Sequence, residues 1–244
     1  TSAPPARAIS MLTGVPYAVF VHGSDLLVRH PVYRAGLKPI LAGASLVIAN
    51  SRHTARLAEE QGAPAGCIEI LHPGVEPAPA SAPRPSERTQ RVLDELGERP
   101  VILSVGRLVR RKGLVEFLEA GMPVLLRRRT DAAWLVVGGE PRDSLIHRER
   151  IENRLRSIVE QRGWAKQVFL LGRLPDADLA ALARRADLFV LPCIGAPGDV
   201  EGFGIVLLEA ARFGVPSVAT RSGGIPDAVE DGTTGVLVDE GDVV

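Results

Sequence analysis

Nine short apolar runs, separated by helical stretches and closed by turn-forming residues, leave this chain few architectures. Three lie at 17–21, 45–49 and 68–71; they end on His22-Gly23-Ser24-Asp25, Asn50-Ser51 and His72-Pro73-Gly74-Val75-Glu76. Six more follow at 101–105, 134–137, 168–171, 188–191, 216–219 and 236–238. Runs this short and this uniformly apolar read as strands covered on both faces. Helical stretches fall at 52–61, 86–96, 114–129, 144–162, 176–185 and 204–213. Ser51 is placed to cap the first of these, and Pro123 predicts a break in the third. Such alternation implies a doubly wound α/β fold with parallel strands, in which ligands bind beyond the carboxyl ends of the strands. The opening, 1–14, carries no usable pattern.

Pro77, Pro79, Pro83 and Pro85, interleaved with Ala and Ser, mark a linker between an early and a late unit. With 244 residues, 45% of them apolar, each unit can bury a core. Basic and acidic residues balance at 29 each and the pI is near 6.9, so no electrostatic footprint for nucleic acid is present. Cys67 and Cys193 lie in no metal or disulfide spacing. No apolar run reaches 18 residues and no signal-peptide pattern opens the chain. These features predict a soluble, cytoplasmic protein, with peripheral membrane contact left open.

Glu201-Gly202-Phe203-Gly204-Ile205-Val206-Leu207-Leu208-Glu209-Ala210 carries two carboxylates eight positions apart among Gly and apolar residues. Gly202 and Gly204 permit a tight turn and close approach of a ligand to the backbone. The helix expected from Gly204 onward offers unpaired amides at its positive end, where phosphate is favoured. Glu209, about five residues in, lies roughly 7 Å along the axis at ~1.5 Å per residue. A carboxylate there accepts from both hydroxyls of a ribose. Glu201, before the helix, can face the other side of the same phosphate.

The loop after 101–105 reads Gly106-Arg107-Leu108-Val109-Arg110-Arg111-Lys112-Gly113. The chain has three lysines, Lys38, Lys112 and Lys166, and arginine supplies the rest of its basic residues. A lysine retained in this loop points to a compact ammonium for phosphate, and Arg107 can add a planar fork to the same oxygens.

These segments resemble the family 4 retaining glycosyltransferases of GT-B fold (glycosyl transferases group 1). Glu201-Gly202-Phe203-Gly204 through Glu209-Ala210 matches that family's donor segment at each motif position, and Gly106-Arg107-Leu108 with Lys112-Gly113 matches its diphosphate clamp. Gly172-Arg173-Leu174-Pro175 is similar to its loop that meets the nucleotide base, and His22-Gly23 to the loop whose His faces the transferred sugar. Val136-Val137-Gly138-Gly139-Glu140-Pro141 departs from the pattern, with Glu140 where a second Gly is usual. His72 stands where Asn is usual and is read as structural.

The resemblance implies a GT-B architecture. Residues 1–76 are then a partial Rossmann-like acceptor-side domain, 77–99 a linker with a short helix, and 100–244 the donor domain without its closing helix. It implies metal-independent, retaining transfer from a UDP- or GDP-linked sugar to a carbohydrate or lipid-linked acceptor, with no further cofactor. His22, Arg107, Lys112 and Glu201 form the implied catalytic set. Gly172, Arg173, Leu174, Phe203, Gly204, Ile205, Val206 and Glu209 are the implied donor contacts. Asp176-Ala177-Asp178 has the Asp-x-Asp spacing of some metal sites, yet after Pro175 it is expected to cap its own helix. Two other readings stand beside this one: a non-catalytic nucleotide-sugar-binding module, and a sugar-nucleotide epimerase of similar architecture. A sheet edge without its neighbouring strands is expected to favour self-association.

Overall fold

The computed structural model describes residues 3–28, 30–79, 84–141, 150–195 and 198–242. Its elements run α1 (Ala3–Thr13), β1 (Ala18–Val21), α2 (Pro31–Ala42), β2 (Leu46–Ala49), α3 (Arg52–Glu60), β3 (Ile68–Ile70) and α4 (Glu87–Leu96). They continue with β4 (Val101–Val105), α5 (Leu114–Glu116), α6 (Met122–Arg128), β5 (Ala133–Val137), α7 (Ile151–Arg162) and β6 (Val168–Gly172). The last are α8 (Asp176–Arg185), β7 (Leu188–Leu191), α9 (Ile205–Ala211), β8 (Ser217–Thr220) and β9 (Gly235–Val238). Among the described residues no helix is long and apolar enough to cross a membrane.

Two compact units result. The first joins Thr1–Gly74 with Gly195–Gly204 and Ser222–Ala228; the second joins Val75–Ile194 with Ile205–Arg221 and Val229–Val244. In the first, β1, β2 and β3 form a parallel sheet in chain order, with Val19 beside Val47 and Ala49 beside Ile70. Val21, Leu41, Val47, Ala49 and Ala58 are its buried centre.

The second unit carries six parallel strands in the order β6-β5-β4-β7-β8-β9. The order reverses between β4 and β7, which makes the crevice beyond their carboxyl ends the favoured place for a ligand. Trp134, fully buried on β5, packs edge-on to Phe117 with centroids 4.9 Å apart. Its indole N–H donates to Ser104 Oγ at 3.0 Å, and that hydroxyl donates to Val190 O at 2.7 Å. Every polar atom of this relay is satisfied, so it ties β5, β4 and β7 together beneath the crevice without a desolvation penalty.

All nine expected strands form, while two helices went unread. Pro4 and Pro5 sit in the first turn of α1, where a missing N–H costs nothing, and α1 buries no residue that would give it a periodic signal. In α2, Pro31 occupies the first turn and Pro39 the interior, so the segment reads as broken. It nevertheless buries Ile40 and Leu41, and packing outweighs propensity there. The break expected at Pro123 takes the form of a π-helical turn, Phe117–Gly121, immediately before it. Helix α7 begins at Ile151, and positions 144–149 of the expected 144–162 helix lie outside the described residues.

One expectation fails outright. Asp178 does not cap its own helix: α8 starts from Pro175 with no side-chain cap. Its buried carboxylate reaches instead to the start of α4, accepting from the Ser86 amide at 2.6 Å and the Ser86 hydroxyl at 2.9 Å. Ser86 Oγ in turn accepts from the Thr89 amide at 3.3 Å. An Asp at a helix start carries the same sequence signature whichever helix it serves.

Candidate functional site

In the second unit the loops after β6, β5 and β4 are stitched together in sheet order. The Gly138 amide donates to Gly172 O at 2.8 Å, the Gly106 amide to Val137 O at 2.9 Å, and the Leu108 amide to Gly139 O at 3.1 Å. Gly138 sits at φ +137°, and a Cβ there would fall 1.8 Å from Gly106 O, so only glycine allows this approach. The Arg111 carbonyl accepts from the Ile194 amide at 2.8 Å, which anchors the β4 loop to the chain leaving β7. Lys112 is buried to 6% exposure and its stem lies against Gly106, while Arg107 is exposed. Lys112 thus sits at a buried, stitched position on the loop beyond β4, where a positive group would meet little solvent screening.

The unusual Glu140 has a task of its own. Its Oε1 accepts from the Glu152 amide at 3.0 Å, capping α7, and its carbonyl accepts from Arg173 Nη2 at 3.0 Å. Arg173 thereby reaches from the loop after β6 to the loop after β5. The substitution for glycine adds a helix cap and leaves the Gly138 turn intact.

Beside the switch point a cavity of about 150 Å³ is lined by Val105, Asp176, Leu179, Phe189, Val206 and Glu209. That is below the ~300 Å³ of a complete small-molecule pocket, and it suits one ring. Glu209 is exposed at its edge, and Ile205 and Val206 precede it on the first turn of α9. Asp176 was read from sequence as a cap; the structure turns it toward the same cavity as Glu209. Its position just past the β6 loop is the signal that marks it.

The first unit holds His22, Glu201, Phe203 and Gly204. The His22 amide donates to both Asp25 carboxylate oxygens, at 3.0 and 3.2 Å, which curls the loop after β1. The His22 ring stacks over Phe20 with centroids 6.4 Å apart and faces a cavity of about 690 Å³, shared with Ser24, Asp25 and Tyr33. Burial, and then the charge of Asp25, raise the Tyr33 hydroxyl above its ordinary range, so it remains a donor. Phe203 is buried and stacks on His72 at 5.5 Å, and His72 Nδ1 lies 3.3 Å from Asn50 O. The ring of Phe203 is committed to packing, and its backbone is what it can offer a ligand.

Sequence reasoning missed one ion pair in this unit. The Asp227 carboxylate, 4% exposed, accepts from the Arg52 amide and from Arg52 Nε, the latter at 2.6 Å. Its partners are 175 positions apart and no local pattern announces them. His53, next in sequence, is held below its ordinary pKa by burial and by Arg56, against smaller opposing effects of Glu60 and Asp227.

Residues 85–243 match the family described as Glycosyl transferases group 1, and residues 1–74 match a Glycosyl transferase 4-like domain. A GDP-mannose-dependent alpha-(1-6)-phosphatidylinositol monomannoside mannosyltransferase of Mycolicibacterium smegmatis is 41% identical over 217 residues, covering 87% of this chain and 54% of that protein. The amylovoran biosynthesis glycosyltransferase AmsK of Erwinia amylovora is 29% identical, covering 97% of this chain and 54% of its own. Among solved structures, Anabaena HepE in complex with UDP aligns with a TM-score of 0.76 at 23% identity, over 98% of this chain and 62% of that one. Sucrose-phosphate synthase from Thermosynechococcus elongatus aligns at 0.76 and 22%, over 99% and 59%. These two likenesses show the fold. The chain spans about half the length of the curated relatives it matches.

Proposed function

The chain belongs to the glycosyl transferases group 1 family, and we propose that it carries the donor half of a mannosyl transfer from GDP-mannose to a phosphatidylinositol-type lipid acceptor. The donor and acceptor are suggested by the activity for which the 41% identical relative is named. The observation that carries the chemistry is the buried Lys112 on the stitched loop beyond β4, at the switch point of the sheet. In this reading Lys112 and Arg107 neutralise the diphosphate as it departs, in place of a divalent metal. Glu209 accepts from the ribose hydroxyls, and backbone groups of Gly172, Arg173 and Leu174 meet the base. Gly204, Ile205 and Val206 present backbone to the phosphates. Glu201 holds the hydroxyls of the donor sugar, and His22 meets the sugar from its own loop.

The transfer proceeds with retention: the bond from the anomeric carbon to phosphate breaks, and a bond to the acceptor hydroxyl oxygen forms on the same face. The hydroxyl proton passes to the departing phosphate oxygen, so GDP leaves and no other reactant is consumed. Residues 1–76 form the acceptor side and 100–244 the donor side in this reading, with 77–99 between them, although 195–204 and 222–228 belong to the first compact unit. Acceptor positioning supplies roughly 7–11 kcal/mol of a barrier, so donor binding is the step to measure separately from transfer.

The test is titration calorimetry of the 244-residue chain with GDP, UDP and GDP-mannose, with and without EDTA. GDP is expected to bind more tightly than UDP, and EDTA to change nothing. Glu209→Gln is expected to weaken GDP by about 1–3 kcal/mol, the range for a lost hydrogen bond to a charged group. Equal binding of both nucleotides, or a strict need for a divalent ion, contradicts the reading.

A further inference from the structure

We infer that Asp227 is a positioning residue for Glu201, acting through a clasp with Arg52 that fixes the 222–228 turn against the start of α3. The inference rests on the assignment of Glu201 to the donor sugar made above; all the residues it uses lie in the first unit.

The turn begins where α3 begins. Ser51 caps that helix by accepting the Thr54 amide at 3.0 Å, and the next amide, that of Arg52, goes to Asp227. A carboxylate at this point satisfies an orphan donor and complements the positive end of the helix. The Arg52 guanidinium closes on the same carboxylate through Nε at 2.6 Å, although that side chain as a whole is 69% exposed. Asp227 is therefore the fixed end of the turn: buried, charged and held by two donors.

From that anchor the turn reaches Glu201 through two hydrogen bonds. The Asp227 amide donates to Gly224 O at 3.0 Å, and the Gly224 amide donates to Glu201 O at 2.8 Å. Contact is so close that a Cβ on Gly224 would lie 2.0 Å from Gly202 O and 2.7 Å from Ser51 Oγ. Gly202 in turn packs on the loop after β1, where an added Cβ would lie 2.2 Å from His22 O. The turn is a wedge between the helix start on one side and the Glu201-Gly202 segment on the other. A close-packed stack of this kind transmits displacement, because no free volume absorbs it. Loosening Asp227 releases Gly224, and with it the backbone that aims Glu201.

Two variants separate this from a general loss of fold. Arg52→Ala removes a largely exposed side chain and leaves the backbone amide to Asp227; Asp227→Ala removes the whole clasp. Affinity of the 244-residue chain for GDP and GDP-mannose is measured in each, beside Glu201→Gln and the Glu201→Gln/Asp227→Ala pair. Asp227→Ala is expected to cost roughly tenfold in GDP-mannose affinity, the size of one hydrogen bond to a charged group, while GDP affinity stays within about twofold. Arg52→Ala is expected to fall between wild type and Asp227→Ala, Asp227→Asn to recover part of the loss, and the pair to lose no more than Glu201→Gln alone. Hydrogen exchange of a peptide spanning Glu201–Gly204 gives a ligand-free readout, and Asp227→Ala is expected to accelerate it.

Unchanged exchange in Asp227→Ala overturns the inference, as does an equal loss for GDP and GDP-mannose. If Glu201→Gln leaves the ratio of the two affinities unchanged while Asp227→Ala still accelerates exchange, the positioning stands and the sugar role of Glu201 falls.

Discussion

Replacing Asp178 by alanine removes both acceptors that hold the start of α4, and the structure sets the size of the effect. The carboxylate receives the Ser86 amide at 2.6 Å and the Ser86 hydroxyl at 2.9 Å, at 2% exposure. Hydrogen bonds to a charged group contribute about 1.5–3 kcal/mol each. Part of that sum is offset, because alanine also relieves the cost of keeping a charge out of water. The Ser86 amide then loses its partner, which costs about 1–3 kcal/mol, while Ser86 Oγ retains the Thr89 amide. A net loss of about 2–4 kcal/mol follows, or roughly 4–16 °C in Tm for a chain of this size. Asp178→Asn keeps one acceptor oxygen and is expected to lose about half as much. Asp176→Ala, at an exposed site, is expected to stay within about 0.5 kcal/mol.

Thermal unfolding of the three variants, each with and without EDTA and magnesium, is the assay. The Asp-x-Asp spacing invites a metal reading, and this experiment separates the two. A structural clasp predicts that Asp178→Ala is destabilised equally with and without chelator. If wild type loses comparable stability on adding EDTA, or if Asp178→Ala is as stable as wild type, the account of this carboxylate is wrong.

Three further outcomes are expected. Lys112→Ala and Arg107→Ala are expected to weaken GDP by at least tenfold while guanosine binding changes little; equal losses for both ligands, measured by calorimetry, would remove these cations from the phosphate site. His53 is held below its ordinary pKa of 6.5, so below about that pH the unfolded chain takes up a proton that the folded chain resists. Stability is therefore full above that value and falls as pH drops through it toward the depressed folded value; thermal unfolding at pH 7.5 and 5.5 is expected to show His53→Gln with a shallower acid loss than wild type, and an identical slope refutes it. Leu12 and Val32 of the first unit are 87% and 74% exposed, so the chain is expected to self-associate at tens of micromolar and Leu12→Glu/Val32→Glu to shift it toward monomer; light scattering that finds wild type monomeric refutes it.

What the sequence disclosed and what it withheld divide along the range of the interaction. The strands of the second unit were legible because a strand covered on both faces is apolar almost throughout, and 101–105, with Ser104 its one polar residue, or 134–137 carries that requirement in five residues or fewer. In the first unit β1 instead alternates exposed and buried positions and exposes Phe20. The Gly106–Lys112 and Glu201–Glu209 segments stand out for a similar reason: each gathers its glycines and charged residues into one short stretch. Helices α1 and α2 were hidden because their prolines occupy positions where the missing N–H is tolerated, a fact of placement that composition does not carry.

The long-range contacts had no such signature. Asp178 reads as the cap of its own helix, and only the approach of α4 makes it the cap of another. Asp227 reads as the end of a Gly-Gly-Ile-Pro-Asp turn, and only the fold delivers the Arg52 amide and guanidinium to it from 175 positions away. Glu140 reads as a lapse in a glycine motif until the Glu152 amide is found on its carboxylate. In each case the residue type fits its surroundings through a partner that local pattern does not specify. The residues proposed to carry the chemistry lie in short local motifs, while the acidic residues that hold helix starts and loops in place become visible once the chain is folded. Of the two kinds, Asp227 is the one whose removal is expected to be felt at a chemistry-bearing group, because a single hydrogen bond separates its turn from the backbone of Glu201.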